Sequence, residues 1–188
     1  ATQGPRVVPG TYTARLTRGA EVLTTRLTVG LDRRAPYSVA DRKQQFAAVM
    51  KAHGLFGEMT ELCERIDAQR AAAAALAKRL PERDPLAAPL SGLLTRLDDA
   101  KKLVVATKEG GDITGEERIR EHLDMVYGAL SGWEGRPARY QVERVEVLRR
   151  ELEEVDAQFA ALQKKEVAPL NQALRARSLP PLPEPADK

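Results

Sequence analysis

Aromatic residues are scarce here: Phe, Trp and Tyr together make up 4% of 188 residues. A core with so few rings has to be aliphatic, and Leu, Ala and Val in long periodic stretches suit helix packed on helix. Cysteine occurs once, at Cys63, so no internal disulfide can form and no thiolate metal cluster can assemble. The two histidines, His53 and His122, fall on different predicted helices and lack the paired Glu-x-x-His motifs of di-iron bundles. No apolar run approaches the roughly 18 residues that cross a bilayer, and ATQGPRVVPG has neither the basic patch nor the hydrophobic stretch of a signal peptide. A start at Ala1 fits either processing or excision from a longer chain. Charge of one sign is lacking too: 30 Lys and Arg stand against 27 Asp and Glu, interspersed, for a net +3. Nucleic-acid binders gather their basic residues into a stripe with stacking rings or a recognisable module, so no nucleic-acid partner is expected.

What is present is periodicity. Hydrophobic residues are 43% of the chain and charged residues 30%, enough apolar material for a folded domain with a small appendage. In PGTYTARLTRGAEVLTTRLTV, Tyr12, Ala14 and Leu16 alternate with Thr11, Thr13, Arg15 and Thr17. Leu23, Leu27 and Val29 then share a face with Thr25, and Gly19 supplies the turn of a β-hairpin. A two-stranded hairpin is marginal alone, so its apolar face needs further strands or the flank of a helical bundle.

From Ser38 the period becomes helical. Ser38 and Asp41 resemble a capping box, and Phe46, Val49, His53, Phe56, Cys63, Ile66, Ala73, Leu76 and Leu80 continue the stripe despite Gly54 and Gly57. After a turn at Pro81–Pro85, capped by Asp84, a second helix carries Leu86, Leu90, Leu93, Leu97 and Val104, with Pro89 in its first turn, fading near Lys108. Gly110-Gly111-Asp112 ends it, and Thr114 with Glu117 caps a third helix through Ile119, Leu123, Val126, Leu130 and Trp133. The fourth runs through Val145, Leu148, Leu152, Val155, Phe159 and Leu162, with a kink or restart at Pro169 and helical turns over Asn171 to Arg177. Short connections make sequential helices antiparallel neighbours, which predicts a mainly α protein: an up-and-down four-helix bundle with an N-terminal β-hairpin. The divisions are hairpin 1–34, bundle 35–179 and a Pro-rich tail 180–188, extended and either free, strapped along the bundle or docked on a partner. Phe46, Phe56, Leu93, Leu97, Leu123, Leu148, Leu152, Phe159 and Leu162 form the expected core.

Candidate chemistry is thin. His53, on the apolar stripe, reads as a packed histidine and His122 as a helix-surface residue, while Cys63 reads as a small core hydrophobe without a base beside it. Glu151, Glu153, Glu154 and Asp156 lie on one helix beside arginines, whereas glycosidase carboxyls face each other across a cleft. Gly-Gly-Asp at 110–112 follows a helix and lacks the Gly-Lys-Ser/Thr ending of a phosphate loop. No catalytic residue, metal ligand or cofactor site is assigned. Tyr127, Trp133 and Tyr140 remain as a candidate surface aromatic patch for carbohydrate stacking, against the plainer reading of Trp133 as a plug at the bundle end.

Three stretches carry a resemblance. PGTYTARLTRGAEVLTTRLTVGLDRR looks like the last strands of an immunoglobulin-like sandwich, as in flagellar-hook-capping proteins and C-terminal regions of bacterial secreted propeller proteins. With SVADRKQQF and VAPLNQALRARSLPPLP, it is similar to the C-terminal end of bacterial sortilin-like proteins with BNR repeats, often labelled glycosyl-hydrolase-like. The resemblance implies a C-terminal module of a large exported protein (periplasmic, cell-surface or secreted) with an N-terminal β-propeller. Its implied partners are that propeller, a second copy or an envelope protein. Two departures stand out: Pro137 is followed by Ala138 where relatives often carry a capping threonine, and the Asp-box Ser-x-Asp-x-Gly-x-Thr-Trp does not occur. No propeller active site therefore transfers to this chain. The expected role is a non-catalytic accessory and interaction module; the alternatives are a contribution to a secreted hydrolase's substrate cleft, or an independent bundle dimerising through its first or fourth helix.

Overall fold

The computed structural model describes residues 4–34, 36–107 and 116–184. The protein is mainly α, 64% helical, a helical bundle preceded by a two-stranded antiparallel hairpin. Strands β1 (Gly10–Arg18) and β2 (Glu21–Val29) lead into helices α1 (Val39–Arg79), α2 (Ala87–Val104), α3 (Ile119–Ser131) and α4 (Arg139–Leu162). A π-helical turn, Gln163–Val167, joins α4 to α5 (Ala168–Ala176). Two compact units divide the chain: Ala1–Gly54 with Asp124–Val145, and Leu55–Leu123 with Glu146–Lys188. The expected helix stop at Gly110-Gly111-Asp112 and the Thr114 cap lie outside the described residues.

Each helix boundary has a local cause. At the head of α1 the Ser38 N–H donates to Asp41 Oδ2 at 2.9 Å and the Asp41 N–H donates to Ser38 Oγ at 3.2 Å, a capping box with Asp in the usual Glu position. Before α2, Asp84 accepts the Leu86 N–H at 2.9 Å and a two-pronged contact from Arg177, 2.6 Å on each oxygen. At α4 the threonine half of a capping box is missing, and Gln141 supplies the other half by accepting the Ala138 N–H at 2.9 Å. Pro169 has no N–H and its ring crowds the carbonyl four residues back. The helix answers by widening one turn, with the Ala168 N–H bonded to the Gln163 carbonyl, and then resumes as α5.

In the first unit the inward positions of α1 are Arg42, Gln45, Ala48, Val49 and Ala52, against Val126, Tyr127 and Leu130 of α3 and Val145 of α4. Gln45 contacts the Leu130 carbonyl in the last turn of α3. In the second unit Leu55, Met59, Leu62, Ile66, Ala73 and Leu76 of α1 join Leu90, Leu93, Leu97 and Val104 of α2. Leu148, Leu152, Val155 and Phe159 of α4 and Leu170 and Leu174 of α5 complete this core, aliphatic but for the one ring. Asp67–Lys101 at 2.7 Å and Arg70–Asp98 order α1 and α2 antiparallel. Arg65–Asp156 at 2.5 Å and Gln69–Gln163 at 2.9 Å place α1 and α4 in the same sense.

Of the expected core, Phe46, Phe56 and Leu162 are only half-buried, and Cys63 likewise. His53 is exposed, which corrects its placement on the inner stripe. The cause is the composition of the true inner face of α1. It passes through Gln45, Ala48, Ala52 and Gln69, residues that a hydropathy reading passes over, so the inferred stripe was rotated toward its larger neighbours.

Two stability predictions follow from local chemistry. A methyl added at Gly54 or Gly57 meets no atom within 4 Å, and both lie inside α1. Gly54→Ala and Gly57→Ala should each raise unfolding free energy by roughly 0.5–1 kcal/mol, read by denaturant titration. Arg177 and the Leu86 N–H lower the Asp84 pKa to about 2 from an ordinary 3.8. A depressed carboxylate adds stability above its unfolded pKa and loses it as pH falls toward the folded value. The melting temperature should drop between about pH 4 and pH 2, and Asp84→Asn should flatten that part of the profile.

Candidate functional site

The hairpin is the most unusual surface. Its register pairs Tyr12 with Leu27, Ala14 with Thr25 and Leu16 with Leu23, so the apolar residues of both strands meet on one face as the alternation predicts. That face is open: Leu16 is 64% exposed, Leu23 56% and Leu27 44%. The opposite face carries Thr11, Thr13, Arg15, Thr17, Val22, Thr24, Arg26 and Thr28, and all of them are exposed. At the turn, where Gly19 has φ +57°, Arg18 pairs with Glu21 at 2.6 Å.

The chain leading into β1 is anchored through a buried polar node. Gln45, 3% exposed, donates from Nε2 to the carbonyls of Leu130 and Trp133, while its Oε1 accepts the Gly135 N–H at 3.2 Å and the Arg42 guanidinium. Arg42, buried alongside, donates to the Val7 carbonyl at 3.3 Å and faces Glu134 at 4.0 Å. Glu134 also receives the Tyr37 hydroxyl at 2.5 Å, which raises the Tyr37 pKa, and lies 3.7 Å from Arg6. The Tyr12 hydroxyl closes the base of β1 on the Val8 carbonyl at 2.6 Å. One glutamine and one arginine thus hold the lead to β1, the end of α3 and the first half of the α3–α4 loop.

The three candidate aromatics separate. Tyr127 is 4% exposed, since it lies three residues before the buried Leu130 on the same face of α3, and it leaves the surface patch. Trp133 and Tyr140 are 56% and 68% exposed. Trp133 is not a plug: its ring lies against the backbone of Gly135, where a Cβ would come within 2.7 Å of the indole.

Other candidates carry little chemistry. His122 Nδ1 lies 3.8 Å from the Glu117 carboxylate. Burial raises the Cys63 thiol above its ordinary range, the opposite of an activated thiolate, although it borders a recess of about 170 Å³ with Thr60 and Arg120. A groove of about 460 Å³ between α2 and α5 is floored by Leu86, Leu93 and Leu170, and its rim charges, Arg96 and Glu166, are closed on each other at 2.6 Å. Among the described residues no group of three or more His, Cys, Asp or Glu is placed to hold a metal ion, and no helix is long and apolar enough to cross a membrane. Of the candidate carboxylates on α4, Glu153 is engaged by Arg149 and Asp156 by Arg65.

Gln45→Leu leaves the Leu130 and Trp133 carbonyls, the Gly135 N–H and Arg42 without that partner. Unfolding free energy should fall by about 2–3 kcal/mol. The single tryptophan reports the change locally, and its emission should shift as the Trp133 loop loosens.

Comparison of the chain with protein-family models, with curated proteins and with solved structures gives no match.

Proposed function

We propose that this chain is a non-catalytic helical interaction module of a larger exported β-propeller protein, and that its hairpin is the edge of an immunoglobulin-like sandwich completed by further strands. The observation that carries this reading is the open apolar face of β1 and β2. Three leucines at 44–64% exposure on a two-stranded sheet are an unmet burial, worth on the order of 1 kcal/mol each when covered. The anchoring fits the same role. Arg42, held by Gln45, ties the lead into β1 to α1 through the Val7 carbonyl.

The sequence resemblance supplies the identity of the covering strands and the propeller context. The test compares amide hydrogen exchange of β1 and β2 in the 188-residue chain with that of the same residues in a longer protein carrying the upstream strands. Protection should rise by at least about 100-fold in the longer protein, and equal rates would overturn the reading. Leu27→Asp should leave the stability of this chain within about 0.5 kcal/mol, because the side chain is already open, yet abolish the added protection.

A second reading rests on Trp133 and Tyr140, both open to solvent in the first unit. They suit stacking on a sugar ring within a hydrolase's substrate cleft. Titration with oligosaccharides should then shift Trp133 emission saturably, and Trp133→Ala should remove binding without loss of helix content.

A further inference from the structure

The C-terminal tail is read by the bundle as a peptide is read by a receptor. Asn171, on α5 and fully buried, brackets Leu182: its Nδ2 donates to the Leu182 carbonyl at 3.1 Å and its Oδ1 accepts the Leu182 N–H at 2.7 Å. Pro180, Pro181 and Pro183 have no N–H, so the one backbone donor of this stretch is the one the asparagine takes. Gln69 of α1 donates to the Pro183 carbonyl at 2.7 Å, and Gln163 fixes the orientation of Gln69 by donating to it at 2.9 Å. Arg175 and Asn171 both donate to Glu184 Oε1, at 2.8 and 3.0 Å. The Leu182 side chain is 1% exposed. The slot therefore checks an apolar side chain, both backbone groups of its residue, the next carbonyl and an acid two places on.

The connection to this slot is strained. After α5 the Leu179 N–H bonds to the Leu174 carbonyl at 2.9 Å and the Ser178 N–H to the Arg175 carbonyl at 3.0 Å, the double bond of a Schellman stop. That stop places its turning residue at positive φ, and here it is Ser178 at +56° where glycine would be free of strain. A proline-rich segment is already extended before it binds, so it loses little entropy on docking and, once its own slot is closed to it, can dock on another molecule.

We propose that this slot is a binding site for an extended Leu-Pro-Glu segment, and that its occupant in an assembled state is the Leu182–Glu184 segment of a second copy of this chain, the two tails exchanging. The tail's own identity argues for that occupant, because a second copy presents the same groups to the same partners. With its own tail at an effective concentration in the mM range, the wild-type chain stays a monomer until the tail is released.

Complementation tests this directly. Leu182→Asp disables the tail and empties the slot, and Asn171→Leu disables the slot and frees a normal tail. Each variant alone should scatter light as a 20.7 kDa monomer, and an equimolar mixture should give twice that mass. A mixture of folded variants that stays monomeric overturns the proposal. Should either variant lose its helical circular dichroism, exchange in the wild type decides. The Leu182 amide should exchange at least about 10-fold faster than the Leu93 and Leu148 amides, as a detachable arm requires. Equal protection at all three means the tail leaves only on global unfolding, and overturns the proposal.

Discussion

Buried carboxamides hold this protein's irregular backbone in place. A polar side chain taken from water must find partners, and Gln45, Gln69, Gln141 and Asn171 find them in peptide groups that no helix satisfies. Gln45 holds the α3–α4 loop and, with Arg42, the lead to the hairpin. Gln141 stands in for a missing cap at α4, and Asn171 with Gln69 seats the tail. Arg42, the remaining buried polar residue described, belongs to the Gln45 node. Aliphatic packing builds the helices into units, and the carboxamides decide where the chain enters, turns and ends.

The cores of both units are largely aliphatic, with Tyr127 and Phe159 as buried rings, whereas the hairpin is attached at one anchored node and the tail is seated in one slot. A surface ion pair such as Arg149–Glu153 adds little by comparison, because solvent screens it.

Much of the architecture was legible in the sequence. Period-2 alternation gave the apolar face that the two hairpin strands share, and Pro169 marked the place where α4 changes its winding. The inner face of α1 was misjudged because alanine and glutamine occupy it, and neither signals burial by hydropathy. Tyr127 was assigned to the surface for the converse reason: aromatic residues near a loop suggest a patch, but its position relative to Leu130 turns it inward. The role of Asn171 left no local trace, because its partner Leu182 lies eleven residues on, past a turn. The signal available was compositional, Leu182 being the one backbone donor of PPLP at 180–183.

The most direct measurement is residue-resolved amide exchange at Gly135, Ala138 and Leu182, whose N–H groups are bonded to the side chains of Gln45, Gln141 and Asn171 and to no helix ladder. If the carboxamides hold the irregular backbone, all three exchange far more slowly than an unstructured chain, and each speeds up when its own carboxamide is replaced by leucine. Exchange at unstructured rates in the intact protein would contradict the account.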